Sequence, residues 1–211
     1  MATDLVASWP RAALCSAEDI VSPGWVWPHR QPASRTWIVN TKQVRDEDVT
    51  GVFIRRPTVY AEELATTHPA DRAFLASEVH AFLMFVLATT SARVVNPVCD
   101  GAFGEEALRP EGWSAVASEV GISVRPLRVT SEPRRRTRYR TYEVEVVGGE
   151  VFGDAPARVL EGARRLTGEL GLAWGVLLFD ARHRLITVTG ARRPSDAAAA
   201  ALGRLLKAVR S

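Results

Sequence analysis

The sequence predicts an α/β protein, and three observations support this prediction. The chain has 211 residues, of which 46% are hydrophobic and 24% are charged. This is the composition of a folded globular protein, and it excludes a disordered or collagen-like chain. Short β-branched runs alternate with amphipathic stretches along the whole chain, which is the pattern of a protein built from strands and helices.

The first half of the chain is predicted to contain short strands followed by a long helix. Apolar or β-branched runs at residues 5–8, 36–40 and 52–54 predict strands. Three tryptophans at positions 25, 27 and 37 are expected to pack in the core rather than to bind a ligand. Residues 69–90 carry apolar side chains at spacings of three and four, which predicts an amphipathic helix.

The second half is predicted to alternate between helices and strands. Gly121 is expected to end a helix at its C-terminal side, and Gly148-Gly149 is expected to form the turn of a hairpin. Ser195 is expected to cap the last helix. The predicted strands are residues 93–97, 122–130, 173–180 and 184–190 together with the hairpin at 142–153, and the predicted helices are 110–119, 157–171 and 195–210.

Charge and targeting signals favour a cytoplasmic protein without a nucleic-acid or membrane partner. The net charge of +3 is too small to indicate such a partner. Two cysteines, Cys15 and Cys99, give no disulfide framework. The N-terminus has an acidic Asp4 and no long apolar region, so we expect no signal peptide. The most apolar stretch, residues 81–88, is shorter than the roughly 20 residues of a membrane-spanning helix.

The order of several motifs resembles the ATP-grasp carboxylate–amine ligases, in particular the branch that matures ribosomal peptides. The motifs are GVFIRRP at 51–57, the helix ASEVHAFLMFVL at 76–87, RVVNP at 93–97, WSAVASEVGISVRPLRVTSEP at 113–133 and YEVEVVGGEVFG at 142–153. The resemblance implies a pre-ATP-grasp-like N-terminal domain over residues 1–107. It also implies a shortened ATP-grasp-like domain over residues 108–211.

The chain departs from the family pattern where the family binds nucleotide. The family has a lysine-bearing subdomain between its Ser-x-Pro loop and the hairpin, but here only RRRTRYRT lies between Pro133 and Tyr142. Only Lys42 and Lys207 are lysines, and neither occupies a matching position. Thr187 and Thr189 stand where the resemblance implies the Glu and Asn that hold Mg²⁺. Asp180 is the one acid that could match, which is a poor donor set for this ion.

We therefore expect no bound cofactor or metal, and we expect ATP-dependent ligation to have been lost. The sequence shows no Gly-x-Ser-x-Gly, Walker, His-Glu-x-x-His or Cys-x-x-Cys motif. Cys99 is expected to be an inert thiol, because no nearby base can be named for it. His80, on the long helix, is expected to be a half-buried structural histidine.

The candidate site residues lie mostly in the first half of the chain. Arg55 and Arg56 leave the carboxyl end of a strand, where open α/β sheets bind ligands, and Glu78 could pair with either of them. These three are the candidate catalytic residues. The same pairing, or one with Glu105, could instead be purely structural. The candidate substrate-binding residues are Tyr60, Asn96, Arg138 and Arg140, the last two within an arginine run that could bind an anion or be a solvated connector.

Three functions remain open on these observations, and whether the chain is an enzyme is uncertain. The first is an ATP-independent biosynthetic enzyme of a specialised-metabolite or modified-peptide pathway that acts on a small molecule in the groove between the two domains. The second is a non-catalytic protein that binds a leader peptide or a companion enzyme. The third is a true ligase completed by another chain. A homodimer that covers the face left by the missing subdomain is a further expectation.

Overall fold

The computed structural model describes residues 5–6, 9, 11–56, 58–98, 109–126, 140–190 and 192–208. Contacts divide the chain into two compact units. The first consists of Met1–Ala107 with Gly203–Ser211, and the second is Leu108–Leu202. The sequence-based division placed residues 203–211 in the second domain, whereas their contacts group them with the first unit. The reason is local: a methyl group added at Gly51 would lie 2.7 Å from the carbonyl oxygen of Leu206.

The first unit contains two small sheets and one long helix. Its elements are α1 (Ala17–Val21), β1 (Thr36–Val39), β2 (Lys42–Arg45), β3 (Gly51–Phe53), α2 (Arg72–Thr89) and β4 (Arg93–Val95). The strands predicted near residues 36–40, 52–54 and 93–97 are confirmed. The strand predicted at residues 5–8 is wrong where it is described, because Leu5 and Val6 are helical.

An unpredicted hairpin joins β1 to β2. The strands are antiparallel, and Thr36 pairs with Arg45 while Val39 pairs with Lys42. The turn residues Asn40 and Thr41 have φ values of 51° and 61°. Two successive positive φ values match the twist that a two-residue hairpin needs.

Helix α2 connects the parallel pair β3 and β4 and supplies the core of the first unit. Its residues Ala76, Leu83, Val86 and Leu87 are buried. By length and composition alone, α2 could cross a membrane, and core helices of soluble proteins pass the same test. The apolar helix, Arg72–Thr89, is thus longer than the apolar stretch 81–88 noted in the sequence. One side of this helix is buried in the core of the first unit.

The three tryptophans lie in or against this core, as predicted. The ring centroid of Trp37 is 5.6 Å from that of Trp25 and 5.2 Å from that of Trp27. Trp25 also packs edge-on against Phe82 of α2, at 5.7 Å. The indole groups therefore join the β1–β2 hairpin to the long helix.

The second unit is a four-stranded antiparallel sheet with helices. Its elements are α3 (Pro110–Glu119), β5 (Thr141–Val147), β6 (Glu150–Phe152), α4 (Ala157–Glu169), β7 (Trp174–Asp180), β8 (Leu185–Thr189) and α5 (Asp196–Lys207), whose last turns belong to the first unit. The strand order is β6-β5-β7-β8. One sheet face packs with α3 and α4 around a core that includes Trp113, Val144, Leu166, Leu177 and Phe179.

The elements predicted for this unit are largely confirmed. Gly121, with a φ of 83°, follows α3, and Gly148-Gly149 forms the hairpin turn between β5 and β6. Ser195 caps α5, since its Oγ accepts a hydrogen bond of 3.3 Å from the Ala198 amide. The strand predicted at residues 122–130 is reduced to a single bridge between Val124 and Leu185 in its described part, and residues 127–130 lie outside the described residues.

Candidate functional site

The arginines that follow β3 are held by the loop that comes after them. The Nε of Arg56 donates a 2.8 Å hydrogen bond to the carbonyl oxygen of Thr58, and its Nη2 forms an ion pair with Glu63. Glu63 belongs to a short 3₁₀ turn, and the same carboxylate accepts a hydrogen bond of 3.1 Å from the Tyr60 amide. Arg56 therefore has a carboxylate partner that the sequence analysis did not identify.

Glu78 is not the partner of Arg56, which corrects the pairing considered for these two residues. Glu78 is exposed on α2, and it has no hydrogen-bond or ion-pair partner among the described residues. The guanidinium of Arg55 lies over the ring of Phe53, 5.3 Å from its centroid. Glu105, the alternative partner, lies outside the described residues. Of the three candidate catalytic residues, Glu78 is thus not paired with an arginine, because the loop after β3 supplies Glu63 as the partner of Arg56.

Asn96 and the two arginines follow neighbouring strands. β3 and β4 are parallel, with Phe53 beside Val95, and the Ile54 amide donates a 2.9 Å hydrogen bond to the Val95 carbonyl. Asn96 is 5% exposed, so its side chain is almost entirely enclosed. The carboxyl ends of parallel strands lie at one edge of a sheet, so the residues that follow β3 and β4 lie at the same edge, and their role in binding stays a prediction.

Tyr60 and His80 lie in the same part of the unit and differ in exposure. Tyr60 is exposed, and its side chain is available to a ligand or a partner. His80 is half-buried, and its Nδ1 is 3.2 Å from the Thr58 hydroxyl. That environment agrees with a structural histidine.

Cys15 is a weak nucleophile in this structure. Burial raises the pKa of its thiol to about 12, with a further increase from the nearby Asp19 carboxylate and an opposing effect of Arg56. The thiolate is the reactive form of cysteine, so little of it is present near neutral pH. Cys99 lies outside the described residues.

In the second unit, Thr187 and Thr189, which occupy the positions of the implied metal ligands, lie on one face of the sheet. Thr187 pairs across the sheet with Leu178, which in turn pairs with Glu143. In the next row, Thr189 pairs with Val176, and Val176 pairs with Glu145. Directly paired residues share a face, so these two rows carry two threonines, two apolar side chains and two glutamates on one face of the sheet.

The two glutamates on this face are bonded to the chain segment that precedes α5. Glu145 is 9% exposed, its Oε1 accepts a 2.8 Å hydrogen bond from the Ser195 amide, and its Oε2 accepts a hydrogen bond from the Ser195 hydroxyl. Glu143 forms an ion pair with Arg192. The two acids that share rows with Thr187 and Thr189 are therefore already engaged with this segment.

The Asp180 carboxylate also accepts hydrogen bonds, in this case from residues of the turn between β7 and β8. Its Oδ1 accepts hydrogen bonds from the amides of Arg182, at 2.9 Å, and Arg184, at 3.0 Å, and its Oδ2 accepts one from the Arg184 side chain. Burial alone would raise the pKa of this carboxyl, but these hydrogen bonds outweigh it and lower the pKa. Both carboxylate oxygens of Asp180 thus already accept hydrogen bonds, and Thr187 and Thr189 offer only neutral hydroxyls, which is a poor donor set for Mg²⁺.

Arg140 lines a cleft of about 320 Å³ in the second unit. Tyr142 and His183 also line it, and the Tyr142 hydroxyl is 2.7 Å from the His183 Nδ1. Burial, together with the nearby Asp180 carboxylate, raises the pKa of Tyr142. The cleft offers a guanidinium and a phenol–imidazole pair, which can bind polar groups of a ligand. Arg138 and the rest of the arginine run lie outside the described residues.

Within the ranges that the structure describes, no group of three or more His, Cys, Asp or Glu side chains could hold a metal ion.

Sequence comparisons identify no relative. No protein-family model matches the chain, and no curated protein matches it.

Solved structures with a similar fold do exist. The macrocyclase MdnC of Microcystis aeruginosa MRC, bound with its precursor peptide MdnA, aligns with a TM-score of 0.67 at 11% identity, covering 86% of this chain and 85% of that chain. A RiPP-associated ATP-grasp ligase of Chryseobacterium gregarium, in complex with ADP and a leader and core peptide, aligns with a TM-score of 0.61 at 10% identity, over 81% and 80%.

A third structure gives the same result. The ATP-grasp ligase PsnB, complexed with a phosphomimetic variant of its minimal precursor, Mg and ADP, aligns with a TM-score of 0.59 at 13% identity, over 93% of this chain and 86% of that one. Identities this low establish the fold alone. The chain therefore has an ATP-grasp-like fold that resembles the peptide-maturing branch of these ligases.

Proposed function

We propose that this chain acts in a modified-peptide biosynthetic pathway without using ATP. The observation that carries the proposal is the bonding of Glu145 to Ser195 and of Glu143 to Arg192. These contacts engage the two acids that share cross-strand rows with Thr187 and Thr189, where the resemblance implies Mg²⁺–ATP, and the two threonines add only neutral hydroxyls. A nucleotide–metal complex has no anchor on such a face.

A peptide is the favoured partner of the protein. Three of the similar structures hold a precursor peptide or a part of one. In this chain, Arg140 and the Tyr142–His183 pair line an open cleft, and Tyr60 is 46% exposed. Arginine and tyrosine are well suited to binding carboxylates and amides of a peptide.

Substitutions distinguish two roles for the protein, an enzyme and a non-catalytic binding protein. If the chain is an enzyme acting on a small molecule or peptide, replacing Arg55, Arg56 or Glu78 by alanine abolishes product formation while the fold is retained. Glu62→Ala is the matched control, since Glu62 is an exposed neighbour of Glu63 outside the proposed site. Unchanged turnover in all three variants would remove the catalytic assignment and leave the binding role.

ATP independence is tested by nucleotide binding. Ligand binding to the folded state raises the melting temperature in proportion to the logarithm of ligand concentration above Kd. We expect the melting temperature to stay constant from zero to millimolar Mg²⁺–ATP. A rise of several degrees that increases with Mg²⁺–ATP concentration, alone or with a companion enzyme from the same gene neighbourhood, would favour the ligase alternative.

Peptide binding is tested separately with the precursor peptide encoded beside the gene. A fluorescently labelled precursor is titrated with the protein, and we expect a saturable rise in anisotropy. Arg140→Ala should weaken binding, because it removes the guanidinium from the cleft. Absence of binding, together with biosynthetic neighbours that encode no precursor, would favour the small-molecule enzyme instead.

A further inference from the structure

The cleft beside Tyr142 carries two opposite charges that are not paired with each other. Arg140 and Asp154 both line it, and both are exposed. Among the residues that the structure describes, neither of these two side chains has a hydrogen bond or an ion pair. The rim of one cleft therefore presents a guanidinium and a carboxylate with space between them.

One wall of this cleft consists of side chains that are held in place. The hydroxyl of Tyr142 is 2.7 Å from Nδ1 of His183. The Tyr142 ring also stacks on the buried Phe179, with 5.6 Å between the ring centroids and 14° between the ring planes. The nearby Asp180 carboxylate is already paired with Arg184. The wall thus adds a fixed hydroxyl and an imidazole to the two charges of the rim.

The side chain of Tyr142 lies on the opposite face of the sheet from the row of Thr187. Tyr142 pairs with Phe179, whereas the next residue, Glu143, shares a row with Leu178 and Thr187. Successive residues of a strand point to opposite faces of the sheet. A ligand against Tyr142 is therefore separate from the face on which the resemblance implies Mg²⁺–ATP.

We propose that this cleft binds a small zwitterion, namely a free α-amino acid. The Arg140 guanidinium pairs with the carboxylate of the ligand, for which its parallel N–H donors are suited. The Asp154 carboxylate accepts hydrogen bonds from the ammonium group of the ligand. Tyr142 and His183 contribute further hydrogen-bonding groups. This inference rests on the binding role proposed for the cleft and specifies which chemical groups are bound.

Charge and size favour an amino acid over other ligands. A simple anion is repelled by Asp154, and a simple cation is repelled by Arg140, whereas a zwitterion is attracted by both. The volume of about 320 Å³ is at the lower end of the range for ligand pockets. Pro156 and Ala181 also line the cleft and offer apolar contacts to the side chain of the ligand.

Histidine NMR tests binding at the cleft itself. The protein is labelled with ¹⁵N-histidine, and His183→Asn identifies the His183 signal. Asparagine suits this position because His183 has a φ of 61°. Each proteinogenic amino acid is titrated to millimolar concentration, and we expect at least one to shift the His183 signal in a saturable way. No shift with any of them would overturn the proposal.

Blocked derivatives of the best-binding amino acid assign the two charges. Its carboxamide lacks the carboxylate and its N-acetyl form lacks the ammonium group, so each should bind about tenfold more weakly or worse. Arg140→Gln should weaken binding of the free amino acid by a similar factor without further weakening the carboxamide. Asp154→Asn should behave in the same way with the N-acetyl form. Equal weakening of all three ligands by either substitution would contradict the assigned pairing.

Arg165→Gln is the matched control for these substitutions. Arg165 is an exposed arginine of α4 that does not line the cleft, so its variant should bind the amino acid as the wild type does. An equal loss in Arg165→Gln would show that only the net charge of the protein matters, which would overturn the proposed site.

Peptide titrations separate this inference from the proposed function. The blocked dipeptide N-acetyl-Glu-Lys-amide carries both charges on side chains, and it should bind more weakly than the free amino acid. Tighter binding of the dipeptide would assign the cleft to a peptide segment and overturn the amino-acid ligand. Precursor binding without a response to any amino acid would also overturn it, while leaving the proposed function intact. Amino-acid binding without precursor binding would support the zwitterion site and count against the proposed peptide partner.

Discussion

Asp46 is a buried carboxylate that fixes the β1–β2 hairpin to the end of α2. Its Oδ1 accepts hydrogen bonds from the Trp37 indole at 2.8 Å and from the Thr90 hydroxyl at 2.5 Å. Its Oδ2 accepts a bond of 3.0 Å from the Ser91 amide. One side chain thus satisfies donors from two distant parts of the first unit.

We expect Asp46→Ala to lower the free energy of unfolding by about 3 kcal/mol, since it leaves buried donors without an acceptor. Urea denaturation measures this effect. Asp48→Ala is the control, because the Asp48 side chain is 58% exposed and its ion pair with Arg45 lies at the surface. Such pairs contribute about 0–1 kcal/mol. Equal effects of the two substitutions would show that the Asp46 network is not stabilising.

The Asp46 carboxylate also makes the free energy of unfolding depend on pH. Burial alone would raise the pKa of Asp46, but hydrogen bonds from Thr90, Ser91 and Trp37 outweigh it and lower the pKa. A lowered folded-state pKa means that the stabilisation is complete above the unfolded-state pKa of about 3.9 and is lost as the pH falls through the folded-state value. The free energy of unfolding, measured from pH 7 down to pH 3, should therefore decrease once the pH is below about 4. The decrease should be less steep in Asp46→Ala.

At the scale of elements, the glycines of α4 differ in their surroundings. Gly168 is exposed, and a methyl group added there would meet nothing within 4 Å. Gly162 is buried, and the same methyl group would lie 3.0 Å from Cγ1 of Ile122. Both positions are helical, so replacing glycine by alanine reduces the backbone entropy lost on folding by the same amount at each.

We expect Gly168→Ala to stabilise the protein by about 0.5–1 kcal/mol. Gly162→Ala should be no more stable than the wild type, because crowding of Ile122 offsets the helix propensity gain. Thermal and urea denaturation of the pair measure the difference. A more stable Gly162→Ala than Gly168→Ala would show that Ile122 moves without cost.

Sequence patterns predicted the long, periodic elements well and the irregular ones poorly. α2 and the β5–β6 hairpin have clear apolar spacing and a Gly-Gly turn, and both were predicted. Strand β2 was missed, because its sequence KQVR is polar and mostly exposed and its turn, Asn40-Thr41, lacks the glycine that marks such turns.

The sequence pattern placed the candidate residues at the ends of strands but did not predict their pairing. That β3 and β4 are parallel neighbours, which puts Asn96 and the arginines at one edge, is seen only in the structure. The Arg56–Glu63 ion pair depends on a loop that turns back within seven residues. No periodicity indicates that turn, although an acid in the loop directly after an arginine pair was a usable signal. The Glu145–Ser195 contact joins residues 50 positions apart, beyond the reach of local patterns.

At the scale of the whole molecule, the chain returns to its first unit at its end. Leu206 is buried, and it approaches Gly51 so closely that no side chain fits there. Trp9 approaches Gly203 in the same way, with Nε1 3.1 Å from the position of an added methyl group. The last turns of α5 thus complete the core of a unit whose other described residues lie more than a hundred positions earlier.

Leu206→Ala should therefore destabilise the first unit by about 2–4 kcal/mol, the usual cost of truncating a buried leucine. Hydrogen exchange measured by mass spectrometry should show faster exchange in Gly51–Phe53 than in the wild type and little change in Thr141–Val147. Lys207→Ala, at an exposed position, should leave both segments unchanged. Equal loss of protection in both strands would show that the units unfold together.

The contacts of Ser195 with Glu145 bear on whether substitutions could create a nucleotide site on this sheet face. If an ancestor carried Glu and Asn at positions 187 and 189, putting them back would add oxygens to the sheet face. Glu145 would still be bonded to Ser195, and Glu143 would still pair with Arg192. Because Ser195 also caps α5, freeing Glu145 by removing the serine would weaken that helix as well. Substitutions at positions 187 and 189 alone would therefore leave both glutamates engaged.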